Sequence, residues 1–160
     1  EFITQKVTEL GASQIWAFPA DWSVAKWDGK KLGKKVEKLE KIALGAAEQS
    51  KRNVVPSIQL FENKADFLLQ LDQFDSIVVA YEESAKEGES AALLQAVSGL
   101  ERGAKLLFIF GPEGGLSPAE IESFEAKGAV LAGLGPRILR AETAPLYALS
   151  ALSVLLELEK

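Results

Sequence analysis

Residues 106–146 read LLFIFGPEGGLSPAEIESFEAKGAVLAGLGPRILRAETAPL, and this tract decides the fold. An apolar run (Lys105–Phe110) has the length and content of a buried strand. It ends in Gly111-Pro112-Glu113-Gly114-Gly115, a turn rich in residues that permit tight backbone. Ser117-Pro118-Ala119-Glu120 then matches a capping box with proline at the first helical position, predicting a helix over Pro118–Lys127. A short strand (Ala129–Ala132) leads into a second loop, Leu134-Gly135-Pro136-Arg137-Ile138-Leu139-Arg140-Ala141-Glu142-Thr143. Thr143 is suited to an N-cap, and a long apolar helix is predicted from there to Leu158.

Working outward, the same alternation continues toward the N-terminus. Phe2, Ile3, Val7 and Leu10 mark an amphipathic helix stopped by Gly11. Gln14–Phe18 is a strand candidate. Lys31–Lys51 is the longest helical pattern, with Leu32, Val36, Leu39, Ala43 and Ala46 on its buried stripe and lysines on its outer face. Strands are expected at Ser57–Leu60 and Ser76–Tyr81. Helices are expected from a cap at Asn63 through Leu71 and over Ser90–Val97. Alternating helices and continuous apolar strands predict an α/β fold, a mostly parallel sheet covered by helices on both faces. Leu146, Leu149, Leu152, Leu155 and Leu156 predict that the last helix is buried, in the core or against a second subunit.

Composition narrows the chemistry. The 160 residues contain no cysteine and no histidine. Disulfides and thiolate metal sites are excluded, and the usual acid–base residue at neutral pH is missing. Catalysis must rest on carboxylates, Lys, Arg, Tyr, backbone groups or a cofactor, with no metal expected. No apolar run is long enough to suggest a membrane span, and no signal peptide is visible, so a cytoplasmic location is expected. Net charge is −5, divided as +3 over residues 1–55 and −8 over residues 56–160. That balance speaks against indiscriminate nucleic-acid binding and gives the chain one basic region. The opening Glu1-Phe2-Ile3-Thr4-Gln5 already looks helical, as expected of a fragment that begins inside a helix.

The two loops are the candidate site. Ligands of open α/β sheets bind beyond the carboxyl ends of strands, where both loops fall. Neither is a Walker A loop, and Ile138 stands where a dinucleotide fingerprint needs its third glycine. A plain strand-to-helix turn would also use glycine. Arg137 and Arg140 lie just before a helix start, where cations are electrostatically disfavoured. They fit an anionic ligand, or an internal pair with Glu142 or Glu113. Lys51 and Arg52, ending the long helix, fit the negative end of its dipole.

Four segments carry a resemblance to a known family: QKVTELG (5–11), AAEQSKR (46–52), FGPEGGLS (110–117) and GLGPRILRAETA (133–144). They resemble the ribosomal RNA small subunit methyltransferase E family of the SPOUT superfamily. The resemblance implies a SPOUT methyltransferase domain over residues 1–160 with a C-terminal trefoil knot. It also implies bound S-adenosylmethionine, a homodimer, and methylation of uridine N3 in 16S rRNA of the 30S subunit. The family's N-terminal PUA-like RNA-binding domain is absent from this chain. Members often carry a basic residue before the serine matching Ser23; here it is Trp22.

Carried over by residue, the resemblance assigns cofactor contacts to Tyr81, Glu82, Phe110, Gly111, Gly114, Leu134, Gly135, Ile138 and Leu139. Leu134, Gly135, Ile138 and Leu139 would wrap the adenine. Gln49 and Arg52 would face RNA. Arg140 is expected to stabilise charge on the uracil carbonyls as N3 loses its proton, with Arg137 orienting the substrate or touching phosphate. Glu142 or Glu113 would position Arg140 or relay the proton, and no residue identifies itself as the general base. A SPOUT enzyme acting on another RNA and a non-catalytic RNA-binding scaffold are the alternatives.

Overall fold

The computed structural model describes residues 1–24, 28–82 and 92–158. The chain divides into two compact units, Glu1–Pro19 with Ala25–Lys64 and Pro145–Lys160, and Ala20–Val24 with Ala65–Ala144.

In the first unit, α1 (Phe2–Glu9) packs on α2 (Leu32–Gln49), and β1 (Gln14–Ala17) pairs in parallel with β2 (Ser57–Leu60). A 3₁₀ turn at Gly29–Lys31 precedes α2, with Asp28 accepting a hydrogen bond from the Lys30 amide. The predicted stripe of α2 is buried deepest at its C-terminal end. Ala43, Ala46 and Ala47 are fully covered, while Leu32, Val36 and Leu39 are half-buried. On the outer side, Lys38 pairs with Glu1; its hydrogen bond and charge hold the Glu1 carboxyl below the usual range.

Both helices end in the same way, with the residue after the cap in the left-handed region. Gly11 (φ 101°) closes α1, with Ala12 N–H donating to Val7 O and Gly11 N–H to Thr8 O. Lys51 (φ 59°) does the same for α2, with Arg52 N–H on Ala47 O and Lys51 N–H on Glu48 O. This hydrogen-bond pair satisfies two orphan carbonyls, and glycine is its natural residue. A side chain in that conformation costs roughly 1 kcal/mol. Lys51→Gly is therefore expected to stabilise the protein by about 0.5–1 kcal/mol, seen as a higher urea midpoint at unchanged m.

The second unit holds β3 (Ser76–Ala80) at the centre of a parallel sheet, with β4 (Leu106–Ile109) on one side and β5 (Val130–Ala132) on the other. Ile77, Val78 and Val79 of β3 are all buried, as expected of a strand covered on both faces. Helix α4 (Ala92–Ser98) packs against β3 and β5. Helices α3 (Lys64–Leu69) and α5 (Pro118–Ala126) meet through Phe67 and Phe124, edge to face at 6.0 Å. Phe124 is fully buried. The helix expected through Leu71 tightens into a 3₁₀ turn at Gln70–Gln73. Ser90, the expected start of α4, lies outside the described residues.

Three expectations need correction. Among the described residues the strands form two sheets, β1-β2 and β4-β3-β5, not one. β3 takes both its neighbours, β4 and β5, from the second unit, and β1 and β2 pair with each other in the first. Thr143 is the first residue of α6 (Thr143–Ser153), not the residue preceding it. Its amide and that of Ala144 both donate to Arg140 O, so the loop's own backbone starts the helix. The helix also gives way to a π-type turn at Val154–Leu158. Of the five leucines expected to be buried in the core or against a second subunit, Leu152 is buried within this chain and the other four are half-buried, while Tyr147, Val154 and Leu158 are exposed.

Candidate active site

The three strands of the second unit are parallel, so the segments leaving them emerge at one sheet edge. Register fixes their levels. Val79 stands opposite Ile109, and Ala80 opposite Ala132. One step beyond, Tyr81, Gly111 and Gly133 share the next level, and the Tyr81 amide donates to Ala132 O at 3.0 Å. The predicted contacts Tyr81 and Glu82 follow β3, Phe110, Gly111 and Gly114 follow β4, and Leu134, Gly135, Ile138 and Leu139 follow β5, so all three groups leave the same sheet edge. Sequence spacing had joined only the last two groups.

The first loop is held from inside. Ser117 caps α5 by accepting from the Glu120 amide, and Glu120 Oε1 accepts from the Ser117 amide at 2.9 Å, completing the predicted capping box. Glu120 Oε2 accepts from the Asp21 amide at 3.0 Å, and the Ser117 hydroxyl donates to Asp21 Oδ2 at 2.6 Å. Glu120 is 1% exposed, so this carboxylate is spent on structure. Sequence reasoning missed the link to Asp21, because 99 residues separate the partners and no local pattern marks it.

The glycines of that loop answer to the same packing. A Cβ on Gly114 would stand 3.0 Å from Trp22 O, and one on Gly111 would stand 2.9 Å from the Leu116 side chain. The need for glycine at both positions is met within the protein, not by a ligand alone. Gly114→Ala is expected to cost about 1–3 kcal/mol by overpacking the Trp22 carbonyl. Thermal unfolding checks it, and an unchanged midpoint would contradict this contact.

The second loop is built differently. Gly135 adopts a left-handed φ of 86°, turning the chain before Pro136. Ile138 is 77% exposed, while Leu134 and Leu139 are half-buried. Arg137, Arg140 and Glu142 are all exposed, as is Glu113 in the first loop. Among the described residues none of these four side chains makes an ion pair or hydrogen bond. The internal pairing that sequence left open is not made. Two unopposed guanidiniums beside a solvated isoleucine form a surface suited to an anionic, partly apolar ligand. Ile138 could gain roughly 1.5–3 kcal/mol if covered.

Gln49 and Arg52 stand in the first unit. Arg52 Nη1 donates to Thr8 O and Ala12 O, each at 2.9 Å, so it neutralises the C-terminal end of α1 and not only of its own helix. Gln49 lines an open groove of about 470 Å³ with Gln5, Lys6, Glu9, Lys41 and Ile42. Among the described residues no acidic cluster could hold a metal ion, and no helix is long and apolar enough to cross a membrane.

Comparison with known proteins supplies what geometry alone does not. The chain is 53% identical over 158 residues to ribosomal RNA small subunit methyltransferase E of Bacillus subtilis, covering 99% of this chain and 62% of that protein. It is 34% identical over 150 residues to the protein of the same name from Mesomycoplasma hyopneumoniae, covering 94% of this chain and 62% of the relative. The chain therefore spans about six-tenths of the length of these curated relatives. Among solved structures it is similar to ribosomal RNA small subunit methyltransferase E from Neisseria gonorrhoeae bound to S-adenosyl methionine. That likeness has a TM-score of 0.75 at 26% identity, over 97% of this chain and 61% of the other. A family model described as an RNA methyltransferase domain matches residues 1–153, and the chain belongs to that family.

Proposed function

We propose that this chain is the SPOUT-type catalytic part of an enzyme that methylates N3 of a uridine in 16S rRNA of the small ribosomal subunit. S-adenosylmethionine is the donor, supplying an activated methyl group on its sulfonium. The reading includes a C-terminal trefoil knot, a homodimer and a cytoplasmic site of action on the 30S particle. The observation that carries it is that Tyr81 and the two glycine loops leave parallel strands at one sheet edge, with Arg137 and Arg140 unpaired beside Ile138. The relatives' names and the neighbour's bound S-adenosyl methionine support the choice of donor and substrate.

The residues present fit this donor. Exposed Ile138 and half-buried Leu134 and Leu139 offer an apolar bed for adenine, and left-handed Gly135 turns backbone groups toward it. Tyr81, Glu82, Phe110 and Gly111 lie at the same edge. Gly114 fixes the loop's shape. Arg140 then meets the negative charge that a uracil carbonyl gains as N3 sheds its proton, an interaction strongest in the transition state. Arg137 orients the RNA through phosphate or base. Glu142, unpaired in this structure, would steer Arg140 only once substrate draws the two together. The exposed apolar residues of α6 and the turn after it fit a covering second copy.

The test is methyl transfer from labelled S-adenosylmethionine to unmodified 30S subunits, with the position mapped by primer extension. Methylation of a uridine N3 is expected. Transfer to another RNA but not to 30S subunits would replace this substrate, and failure to bind the donor would remove the enzyme reading altogether.

A further inference from the structure

Trp22 is an exposed tryptophan that follows a hydrogen-bonded residue. Half of its surface is open (51%), and among the described residues its ring makes no aromatic contact or hydrogen bond. Such a side chain is an uncommon surface residue, and it is more informative than a scattered leucine. The segment carrying it is held at two points. Residue 21 is held by its amide on buried Glu120 and by its carboxylate on the Ser117 hydroxyl. The Trp22 carbonyl itself lies against Gly114, in the loop that leaves β4. A buried carboxylate thus spends one of its oxygens anchoring a segment whose main outward feature is an indole. The ring is presented beside the candidate active site with little backbone entropy left to lose on binding.

We infer that Trp22 is a stacking platform for an unpaired base of the RNA substrate, held beside the glycine loop by the Glu120–Asp21–Ser117 network. This rests on the RNA-methyltransferase reading above and adds a base-binding residue to it. An atom on the pairing edge of a base can be reached only once that base leaves its helix, and RNA-binding proteins hold splayed bases on aromatic faces. An indole offers such a face without demanding a sequence. It also does what a cation at this position could not, distinguishing a base from a bare phosphate backbone.

The test measures binding of a short fluorescein-labelled oligouridylate and of an abasic strand of the same length by the whole chain, using anisotropy. The wild type is expected to prefer the oligouridylate. Trp22→Ala should weaken oligouridylate binding about 5- to 100-fold while leaving abasic binding unchanged. Trp22→Phe should stay within about threefold of wild type, since a smaller aromatic face remains. Trp22→Arg should keep backbone affinity and lose the preference for the base-bearing strand. Wild-type protein showing no such preference, or Trp22→Ala weakening both strands alike, would overturn the proposal. So would a variant whose only change is loss of dimer in sedimentation, which would assign the indole to a contact between copies. Calorimetric titration with S-adenosylmethionine accompanies each variant and is expected to be unchanged. Wild type failing that titration sinks the enzyme reading, whereas wild type passing it with Trp22→Ala still preferring oligouridylate sinks only this one.

Discussion

Arg140→Ala is expected to lower methyl transfer to 30S subunits by about 100- to 1,000-fold, while the unfolding midpoint stays within experimental error. The magnitude is that of removing one preorganised donor aimed at developing negative charge. The stability expectation comes from the structure, since the Arg140 side chain is exposed and makes no hydrogen bond or ion pair among the described residues. Its backbone carbonyl does receive the Thr143 and Ala144 amides, and alanine keeps that carbonyl. Single-turnover transfer read against denaturant unfolding separates the two. Near-normal transfer would remove Arg140 from catalysis. Lost transfer with lost stability would make its part structural. Arg140→Lys discriminates further: a single ammonium cannot reproduce the planar fork, so partial rescue would point to charge and no rescue to directed hydrogen bonds.

The second large effect is on stability. Glu120→Ala removes an acceptor that serves two backbone amides, those of Ser117 and Asp21. Ser117 is buried, so its amide is not readily compensated by solvent, whereas Asp21 is exposed and its bond to Glu120 is part-buried. The buried Ser117 donor left without a partner costs about 1–3 kcal/mol and the lost part-buried bond to Asp21 about 0.5–1.5 kcal/mol, so a loss of about 2–4 kcal/mol is expected for the pair. Glu120→Gln is the sharper variant. Its carbonyl oxygen can still accept from one amide, but its NH₂ must face the other, donor against donor. It should lose roughly half as much as alanine, at unchanged m in urea. A loss below 0.5 kcal/mol for Glu120→Ala, about the size expected of an ordinary surface substitution, would show that the network does not hold this segment.

Both residues show where local pattern suffices and where it does not. Glu120 was legible as the third helical residue of a capping box, because the box is an interaction across three positions. Its second oxygen was not legible, because Asp21 comes from a distant part of the chain. The arginines were legible as misplaced charge before a helix. Whether Glu113 or Glu142 neutralised them was undecidable from spacing, and three-dimensional placement leaves all four groups apart. Gly111 and Gly114 were read as glycines that admit a ligand. The space they leave is taken by Leu116 and Trp22, a close approach that sequence cannot distinguish from a cofactor's.

By itself the sequence determined the order and type of the elements. Hydrophobic period, glycine stops and the Ser117 cap are local, and local interactions set where a helix or strand begins and ends. The absence of histidine and cysteine likewise limited the chemistry before any folding. Only the tertiary structure decided that the five strands among the described residues divide into two parallel sheets and that Tyr81 joins the two glycine loops at one edge. It alone tied Trp22 to that edge through a buried carboxylate. Those facts depend on which distant segments meet, and contacts between distant segments follow from how whole elements pack, which no window along the chain contains.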